Sequence, residues 1–541
     1  MRVALAQMNS TLGDFAGNRD KMLSLCHKAI LDECDLIVFP EASLFGYHPV
    51  DLLERPSIVK EQLKELKAFQ QKMPKGLVAL VGAITINPKQ DGKPYFNSAV
   101  LMERGKKPKV FAKQLLPTYD VFDEGRHIEP GALKNNIFRF KGHKVLVTVC
   151  EDIWAWPLKK HHGSNYAKNP IKEMRSRDVD LVINLSASPF TDKKLKSRRF
   201  VTKKTAEHLK APLIYVNLVG AQDEIIFDGG SFVTEPKGGV SLQLPRFEES
   251  YAVYDTKLKT QSHLHKVDSN VNELRRKAIV LGIKDFAAKV GLQKAHLGLS
   301  GGIDSAVVAC LAAEALGPEN VTAVAMPGPY STGESLRLAK ELADNLKMKI
   351  FEVGIDHSYK NILGDLKNWM PTDSITVAHE NLQARLRMVV LMSFSNVHGS
   401  LLLNTSNKSE MATGYSTLYG DMSGGLSPIG DLLKTEVYEL ARYYNQLGSF
   451  IPESIISRPP SAELRPNQTD QDSLPPYSEL DPAVEKLVEN YRSPKSTLDH
   501  RVLQLMMKSE FKRWQAPPIL KVSDHAFGRG RRLPLAHKAW Y

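Results

Sequence analysis

The chain has 541 residues, of which 42% are hydrophobic and 24% are charged, and its formal net charge is +12. This length is too great for one hydrophobic core, so we expect two large domains or three smaller ones. No apolar run approaches the roughly 18–20 residues of a membrane-spanning helix. The N-terminus lacks the basic and apolar regions of a signal peptide, so we expect a cytoplasmic protein without a membrane segment.

Cysteine content and charge exclude further classes. The sequence has four cysteines, at Cys26, Cys34, Cys150 and Cys310. They are too few for a disulfide scaffold and too scattered for a zinc-binding C-x-x-C pair, and all but Cys150 are expected in the core. The positive charge favours anionic partners, but the basic runs 193–199 and 529–532 lack the interleaved aromatic residues typical of RNA binding. We therefore expect no nucleic-acid partner.

Residues 1–245 alternate short apolar segments with longer amphipathic ones. The apolar segments predict strands at Arg2–Gln7, Asp35–Phe39, Leu77–Ile84, Ser98–Met102, Val145–Val149, Leu181–Leu185 and Leu213–Val216. Helices are predicted between several of them, for example at Ile58–Gln71 and Lys196–His208. This alternation predicts an α/β layered domain. Residues 246–270 have weak periodicity and several charges, and we predict a linker there.

Residues 271–541 form the second predicted domain, in which the α/β alternation starts again. The predicted elements are strand His296–Leu299, helix Ser305–Leu316, strand Val321–Met326, helix Gly333–Leu346, strand Lys349–Val353, helix His379–Val397 and strand Ser400–Asn404. This order is typical of a doubly wound parallel sheet. The Pro-rich segment 458–482 is compatible with a disordered loop or with a mobile flap over a site.

A glycine-rich loop lies between the first strand and the first helix of the second domain. Its residues are Gly298, Leu299, Ser300, Gly301, Gly302, Ile303, Asp304 and Ser305. Glycines let backbone N–H groups close around phosphate oxygens, and a helix N-terminus adds a favourable dipole. The lysine of a Walker A loop is absent. In its strand–loop–helix context, the run S-G-G-x-D-S resembles the signature of the ATP pyrophosphatase superfamily, which adenylates a carbonyl oxygen and releases pyrophosphate.

A second polar segment, Asn404–Glu410, follows a later predicted strand of the same sheet. Ligands bind at the carboxyl edge of such sheets. Thr405 is therefore a candidate contact for the nucleotide, and Glu410 is a candidate second carboxylate beside Asp304 for a magnesium ion. Taken alone, the segment is more typical of a loop that ends in a helix cap.

The first domain contains one unusual triplet of residues. Glu41 follows a predicted strand, Lys113 lies in VFAKQLLPTYD, and Cys150 ends another predicted strand. Singly, such residues are most often surface charges or a small buried side chain. Together with the flanking sequences FPE, KQLLP and CEDIW, they resemble the Glu–Lys–Cys triad of the nitrilase family.

The nitrilase resemblance implies a role for each residue. Glu41 would act as the base, Lys113 would stabilise the tetrahedral oxyanion, and Cys150 would attack the amide carbon. The residue types fit this chemistry, since a thiol is mostly protonated at neutral pH and needs a base or a nearby cation. Glu124 would be the further glutamate that many nitrilase-like proteins place beside the triad.

A nitrilase-like domain ahead of an ATP pyrophosphatase domain resembles the family of glutamine-dependent NAD⁺ synthetases, over essentially the whole chain. The resemblance implies an α-β-β-α sandwich followed by a doubly wound domain like the adenine nucleotide α hydrolases. It also implies that glutamine is hydrolysed through a thioester on Cys150. ATP, with Mg²⁺, would then adenylate deamido-NAD⁺, and ammonia would displace AMP to give NAD⁺. We also expect a homo-oligomer.

The same resemblance implies binding roles at further positions. The implied contacts are Tyr119, Ser188 and Lys194 for glutamine, Thr405 and Lys434 together with the loop 298–305 for ATP, Asn381, Arg385, Glu410 and Lys512 for deamido-NAD⁺, and Asp304 and Glu410 for the metal. Two positions depart from the ammonia-using relatives. Phe511 replaces a histidine and Leu418 replaces a lysine, so the finer map of the dinucleotide site stays open.

Two other readings are compatible with parts of the sequence. A different glutamine amidotransferase with a pyrophosphatase domain, of the GMP or asparagine synthetase type, would carry a different glutaminase domain. A non-catalytic nucleotide sensor would have no use for the nucleophile Cys150. His161 and His162 could bind a metal only with a third partner, and we expect them in a solvated loop.

Overall fold

The computed structural model describes residues 1–89, 91–157, 166–258, 264–370 and 374–539. His161 and His162 lie outside these ranges. The chain divides into two compact units, Met1–Ser269 and Asn270–Tyr541. Within the described ranges, no helix is both long enough and apolar enough to cross a membrane.

The first unit is rich in short strands. Its strands are β1 (Arg2–Gln7), β2 (Leu36–Val38), β3 (Val78–Ile86), β4 (Tyr95–Glu103), β5 (Lys109–Ala112), β6 (Ile137–Phe140), β7 (His143–Val149), β8 (Leu181–Ser186), β9 (Leu213–Asn217), β10 (Val219–Gln222), β11 (Ile225–Asp228), β12 (Phe232–Thr234), β13 (Val240–Gln243) and β14 (Ser250–Asp255). Its α-helices are α1 (Phe15–Leu31), α2 (Pro56–Lys72) and α3 (Lys194–Leu209). Each strand and helix predicted in this half of the sequence is present within a few residues of its predicted ends.

Two six-stranded sheets form the centre of this unit, in the orders β14-β1-β2-β3-β4-β5 and β13-β12-β9-β8-β7-β6. Apolar side chains of both sheets, such as Leu5 and Val147, share one buried cluster. Met22 of α1 and Phe69 of α2 belong to a second cluster with the first sheet, and Val201 of α3 belongs to a third with the second sheet. The layers are therefore α-β-β-α, which confirms the predicted fold class.

The first sheet extends into the stretch that the sequence suggested as a linker. Strand β14 lies inside residues 246–270 and pairs antiparallel with β1, with Leu5 opposite Ala252. Its side chains pack on both faces of the sheet: Ala252 and Tyr254 belong to the cluster shared by the two sheets, and Tyr251 and Val253 pack against the cluster of α1 and α2. Apolar residues on both faces leave no apolar–polar alternation in the sequence, and the compact unit continues to Ser269.

The second unit is mainly helical around one small sheet. Its strands are β15 (Ala295–Gly298), β16 (Val321–Ala325), β17 (Lys349–Glu352) and β18 (Leu401–Leu402). Its α-helices are α4 (Val271–Lys289), α5 (Ile303–Leu316), α6 (Gly333–Asn345), α7 (Asp356–Leu366), α8 (Val377–His398), α9 (Lys408–Thr413), α10 (Lys434–Gly448), α11 (Glu453–Ser457), α12 (Tyr477–Val484), α13 (Thr497–Lys508) and α14 (Glu510–Arg513).

The sheet of the second unit has the order β17-β16-β15-β18, and all its pairs are parallel. This order confirms the predicted doubly wound topology. The direction of winding reverses between β15 and β18, which makes their carboxyl ends the expected ligand site. The segments that follow these two strands are the glycine-rich loop and Asn404–Glu410.

Candidate active sites

The structure brings Glu41, Lys113 and Cys150 together near the ends of strands from the two sheets. The Lys113 Nζ donates to the Glu41 Oε1 over 2.7 Å, and both side chains are fully buried. Glu41 follows β2 and Cys150 follows β7, so both lie where parallel strands end. Glu41 also accepts from the Asn97 amide at 2.8 Å and from the Ala187 N–H at 2.9 Å.

Glu124 completes a buried network around Lys113. The Lys113 Nζ donates to the Glu124 Oε1 at 2.8 Å, and the Tyr47 hydroxyl donates to the same oxygen at 2.8 Å. Burial lowers the pKa of Lys113, but Glu124 and Glu41 outweigh this effect and hold the pKa well above its ordinary value. Lys113 therefore stays protonated, as an oxyanion-stabilising group requires.

Cys150 begins a short 3₁₀ turn directly after β7, in a left-handed backbone conformation with φ 37°. Burial raises the pKa of its thiol well above the ordinary value, and Glu41 adds to this rise, whereas Lys113 opposes it. The resting thiol is therefore protonated, and its attack requires a base. Burial raises the pKa of Glu41 too, which suits a carboxylate that accepts this proton.

Asp152 joins the segment that carries Lys113 to the turn that carries Cys150. One carboxylate oxygen accepts from the Gln114 and Leu115 N–H groups, each at 2.9 Å, and the other accepts from the Val149 N–H at 2.9 Å. Burial raises the pKa of Asp152 to about 6, against the effect of these three hydrogen bonds. The carboxylate thus holds two parts of the site in register.

Of the residues expected to bind glutamine, Tyr119 and Lys194 contact the segment that follows Cys150. The Tyr119 hydroxyl donates to the Glu151 carboxylate at 3.1 Å, and Tyr166 donates to the same carboxylate at 2.8 Å. The Lys194 Nζ lies 4.3 Å from the centroid of the Trp154 ring. Ser188 is buried, and its hydroxyl accepts from the Arg198 Nε at 3.1 Å. Glu151 and Tyr166 were not expected from the sequence.

In the second unit, the glycine-rich loop runs from the end of β15 to the start of α5. Gly301 has φ +78°, and a Cβ there would lie 2.3 Å from the Ser335 carbonyl oxygen, so this position requires glycine. The Ser300 and Ser305 hydroxyls lie 3.1 Å apart, and the Ser300 hydroxyl also accepts from the Gly302 N–H at 3.2 Å. The loop therefore presents backbone N–H groups and hydroxyls at a helix N-terminus.

Two carboxylates and one lysine face each other beside this loop. Lys434 forms ion pairs with Asp304 and, at 3.5 Å, with Glu410. Asn407 also donates to the Asp304 Oδ1 at 2.9 Å. Burial and the neighbouring Asp304 raise the pKa of Glu410 to about 8, although Lys434 opposes this rise. Lys434 alone therefore does not keep both carboxylates ionised at neutral pH, and a second cation would.

This arrangement fits a magnesium ion. Mg²⁺ is usually bound by one or two carboxylates together with phosphate oxygens, rather than by a cage of protein ligands. Asp304 and Glu410 supply two hard oxygen ligands beside the glycine-rich loop, and a divalent cation there would favour the ionised form of Glu410. The donor set thus agrees with the metal expected from the sequence.

Two cavities lie against the glycine-rich loop. The larger, of about 260 Å³, has apolar walls that include Val324, Met388 and Leu402, and Thr405 and Gly298 also line it. The smaller, of about 160 Å³, contains Asp304, Glu410 and Lys434. Arg458, Ser461 and Ala462 line both cavities, so this part of the Pro-rich segment borders the site.

Three residues expected to bind deamido-NAD⁺ converge on a neighbouring turn, residues 414–418. Asn381 accepts from the Thr417 hydroxyl at 2.7 Å, and the Arg385 Nε donates to the Leu418 carbonyl at 3.2 Å. The Lys512 Nζ donates to the Gly414 and Ser416 carbonyls at 2.8 and 2.7 Å. None of the three lines the two cavities of the glycine-rich loop. Their role in dinucleotide binding stays a prediction.

Sequence reasoning missed Asp152, Arg387, Arg458 and Asp470. Arg387 and Arg458 line the larger cavity, and Arg458 and Asp470 line the smaller one. Asp152 had a local signal, because it lies two residues after the candidate nucleophile. The others come from segments far from the glycine-rich loop in sequence, and only the folded chain places them there.

Comparison with known proteins agrees with this geometry in both units. The carbon-nitrogen hydrolase family matches residues 2–265, and the NAD synthase family matches residues 275–516. The chain is similar to the glutamine-dependent NAD(+) synthetase of Synechocystis sp., with 43% identity over 99% of this chain and 98% of the relative. It is 38% identical to the protein of the same name from Thermotoga maritima, over 99% of both chains.

A solved structure also matches over nearly the whole chain. The glutamine-dependent NAD+ synthetase from Acinetobacter baumannii, in complex with ADP, matches with a TM-score of 0.76 and 34% identity, over 99% of this chain and 98% of that one. With its carbon-nitrogen hydrolase and NAD synthase domains in this order, the chain belongs to the glutamine-dependent NAD(+) synthetase family.

Proposed function

We propose that this enzyme makes NAD⁺ from deamido-NAD⁺ and ATP, with L-glutamine as the nitrogen donor, and releases glutamate, AMP and pyrophosphate. The observation that carries the proposal is the presence of both sites in one chain. The first unit holds a buried nucleophile with a base and a cation, and the second holds a phosphate loop beside two carboxylates. A sensor that only bound nucleotide would have no use for the first site.

In the first unit, the Cys150 thiol attacks the side-chain carbonyl carbon of glutamine while Glu41 takes the thiol proton. The Lys113 ammonium has three donors, and within the described residues Glu41 and Glu124 accept two of them. The third N–H is left for the oxyanion. Glu41 returns its proton to the departing nitrogen, which leaves as ammonia, and water then hydrolyses the thioester to glutamate.

In the second unit, the loop 298–305 and Lys434 would bind the phosphates of ATP, and Thr405 would contact the nucleotide. A magnesium ion held by Asp304 and Glu410 would neutralise charge on the phosphates. A carboxylate oxygen of deamido-NAD⁺ attacks the α-phosphorus and pyrophosphate leaves. Ammonia then attacks the activated carbonyl carbon, and AMP leaves. A cytoplasmic location and a homo-oligomer stay predictions from the sequence.

The direct test is an assay of the purified protein with ATP, magnesium chloride, glutamine and deamido-NAD⁺. We expect NAD⁺, AMP, pyrophosphate and glutamate in equal amounts, measured by liquid chromatography and mass spectrometry. Formation of ADP and phosphate in place of AMP and pyrophosphate would contradict the adenylation step. Amidation of GMP precursors or aspartate in place of deamido-NAD⁺ would contradict the acceptor.

A further inference from the structure

The two cavities at the glycine-rich loop share part of their walls. The shared residues are Ser300, Gly302, Thr405, Asp421, Arg458, Ser461 and Ala462. The larger cavity has mostly apolar walls, which suit an adenine base, and the smaller one holds the carboxylates and Lys434. If the proposed use of ATP is correct, the phosphate chain has to pass the shared residues. Any cation among them lies next to that chain.

Arg458 is the cation at this junction. Among the described arginine and lysine side chains, Arg387 lines only the larger cavity, Lys434 lines only the smaller one, and Arg458 lines both. Lys434 pairs with Asp304 and Glu410, which line only the smaller cavity. Arg387 is half-buried and donates to the Met326 carbonyl at 3.1 Å. A guanidinium at the junction suits phosphate, because its donors match two phosphate oxygens at once.

In the structure, Arg458 forms hydrogen bonds with two side chains, each of which also has other hydrogen-bond partners. Its Nη2 donates to the Glu463 Oε1 at 2.8 Å, and its Nη1 donates to the Ser335 hydroxyl at 3.0 Å. Glu463 has other donors at the N-terminus of α6, namely the Thr332 N–H at 3.4 Å, the Thr332 hydroxyl at 3.2 Å and the Ser335 hydroxyl. Arg458 can therefore leave Glu463 without leaving that carboxylate unsatisfied.

We propose that Arg458 is a phosphate-binding residue of the ATP site, and that its guanidinium exchanges Glu463 for phosphate oxygens when ATP binds. The exchange keeps an anionic partner on Arg458 in both states. It also makes Glu463 a competitor of ATP for the same guanidinium. Removing the charge of Arg458 and removing the charge of Glu463 therefore have opposite effects on ATP binding.

A purely structural ion pair would behave differently. If Arg458 and Glu463 served only to hold residues 458–464 against α6, breaking the pair from either side would loosen the same segment. Both substitutions would then weaken binding, and they would weaken ATP and adenosine alike. The sign of the Glu463 effect and the dependence on phosphate thus separate the two roles.

The test is isothermal titration calorimetry of the full-length protein with ATP and magnesium chloride, and in parallel with adenosine. We expect Arg458→Gln to weaken ATP binding about tenfold and to leave adenosine binding unchanged. Arg458→Lys keeps the charge without the planar fork and is expected to lose less affinity. Glu463→Gln is expected to tighten ATP binding about threefold, since no ion pair has to be broken first.

Arg465→Gln is the matched control. Arg465 lies in the same segment and pairs with Asp472 at 3.2 Å and with Glu380 at 3.6 Å, but it lines neither cavity. We expect its ATP affinity to equal that of the wild type. Unchanged ATP affinity in Arg458→Gln, or equal weakening in Arg458→Gln and Glu463→Gln, would overturn the proposal. A wild-type protein that binds no ATP would instead refute the proposed function.

Discussion

At the scale of single residues, the first site depends on how burial sets protonation. Cys150, Glu41 and Lys113 are all buried, and a buried charged group without a partner is costly. The thiol is therefore held neutral, the lysine is held charged by two glutamates, and the raised pKa of Glu41 makes it a suitable acceptor. The nucleophile is formed only during attack, when the base takes its proton.

A protonated resting thiol determines how Cys150 reacts with iodoacetamide. Because burial and Glu41 raise its pKa, we expect the rate to keep rising with pH beyond about pH 8.5, the ordinary pKa of a cysteine. Lys113→Met is expected to slow the reaction further at neutral pH, since the lysine opposes that rise. Peptide mass spectrometry separates Cys150 from the three other cysteines. A rate that levels off at or below neutral pH would contradict a protonated resting thiol.

At the scale of secondary-structure elements, both sites lie where neighbouring strands end. Cys150 follows β7, and Ala187, which donates to Glu41, follows β8, the parallel neighbour of β7. In the second unit, the glycine-rich loop follows β15 and Thr405 lies shortly after β18, its parallel neighbour. Parallel pairing brings these segments together although they are distant in sequence. The loops that carry the site residues must also be held in position by specific hydrogen bonds.

Asp152 is such an anchor, and Asp152→Asn tests it. In the variant, an amide NH₂ group replaces one of the two carboxylate oxygens, so at least one backbone N–H loses its acceptor. We expect the free energy of unfolding to fall by about 1–3 kcal/mol. The folded-state pKa of Asp152 is raised to about 6, so between about pH 4 and 6 the folded chain binds more protons than the unfolded chain. Stability from this group therefore falls as pH rises through that window.

The penalty of Asp152→Asn is accordingly expected to be larger at pH 4.5 than at pH 7.5, as measured by urea unfolding of both proteins at each pH. The variant lacks the Asp152 carboxyl group, so only the wild type loses the stability that the titration of this group contributes between about pH 4 and 6. A penalty that grew with pH would show that the carboxylate is stabilised by ionisation rather than opposed by burial.

Gly301→Ala tests whether the backbone conformation of the glycine-rich loop is needed for ATP binding. The new Cβ would lie 2.3 Å from the Ser335 carbonyl oxygen in addition to a strained φ of +78°, so the loop has to move. We expect weaker ATP binding and a lower unfolding temperature. Gly291→Ala is the matched control, because Gly291 also has φ +78° but a Cβ there meets nothing within 4 Å. Equal ATP affinity in the two variants would mean that the loop does not bind the phosphates.

The sequence predicted those parts of the fold and sites that depend on local pattern. Apolar segments located the named strands, and the run from Gly298 to Ser305 located the glycine-rich loop, because the local backbone requires glycine at Gly301. Strand β14 was missed because its partner β1 lies about 250 residues away and only edge pairing defines it. Arg458 was missed because its contacts are with a segment remote in sequence. Asp152 lies close to Cys150 in sequence, but that position does not reveal that its carboxylate accepts from Gln114 and Leu115.

At the scale of the whole molecule, the two units carry complementary chemistry. The first has the groups to release ammonia from an amide, and the second has the groups to activate a carboxylate with ATP. Each unit has its own core and its own site, so a substitution in one site should leave the chemistry of the other intact. This separation is what the comparison of two nitrogen donors can measure.

The most direct measurement is the rate of NAD⁺ formation by Cys150→Ala, with glutamine and with ammonium chloride as alternative nitrogen donors. We predict that the variant makes no NAD⁺ from glutamine but makes it from ammonium at a rate close to that of the wild type. NAD⁺ formation from glutamine at the wild-type rate, or loss of activity with both donors in a correctly folded variant, would contradict the assignment of amide hydrolysis to Cys150.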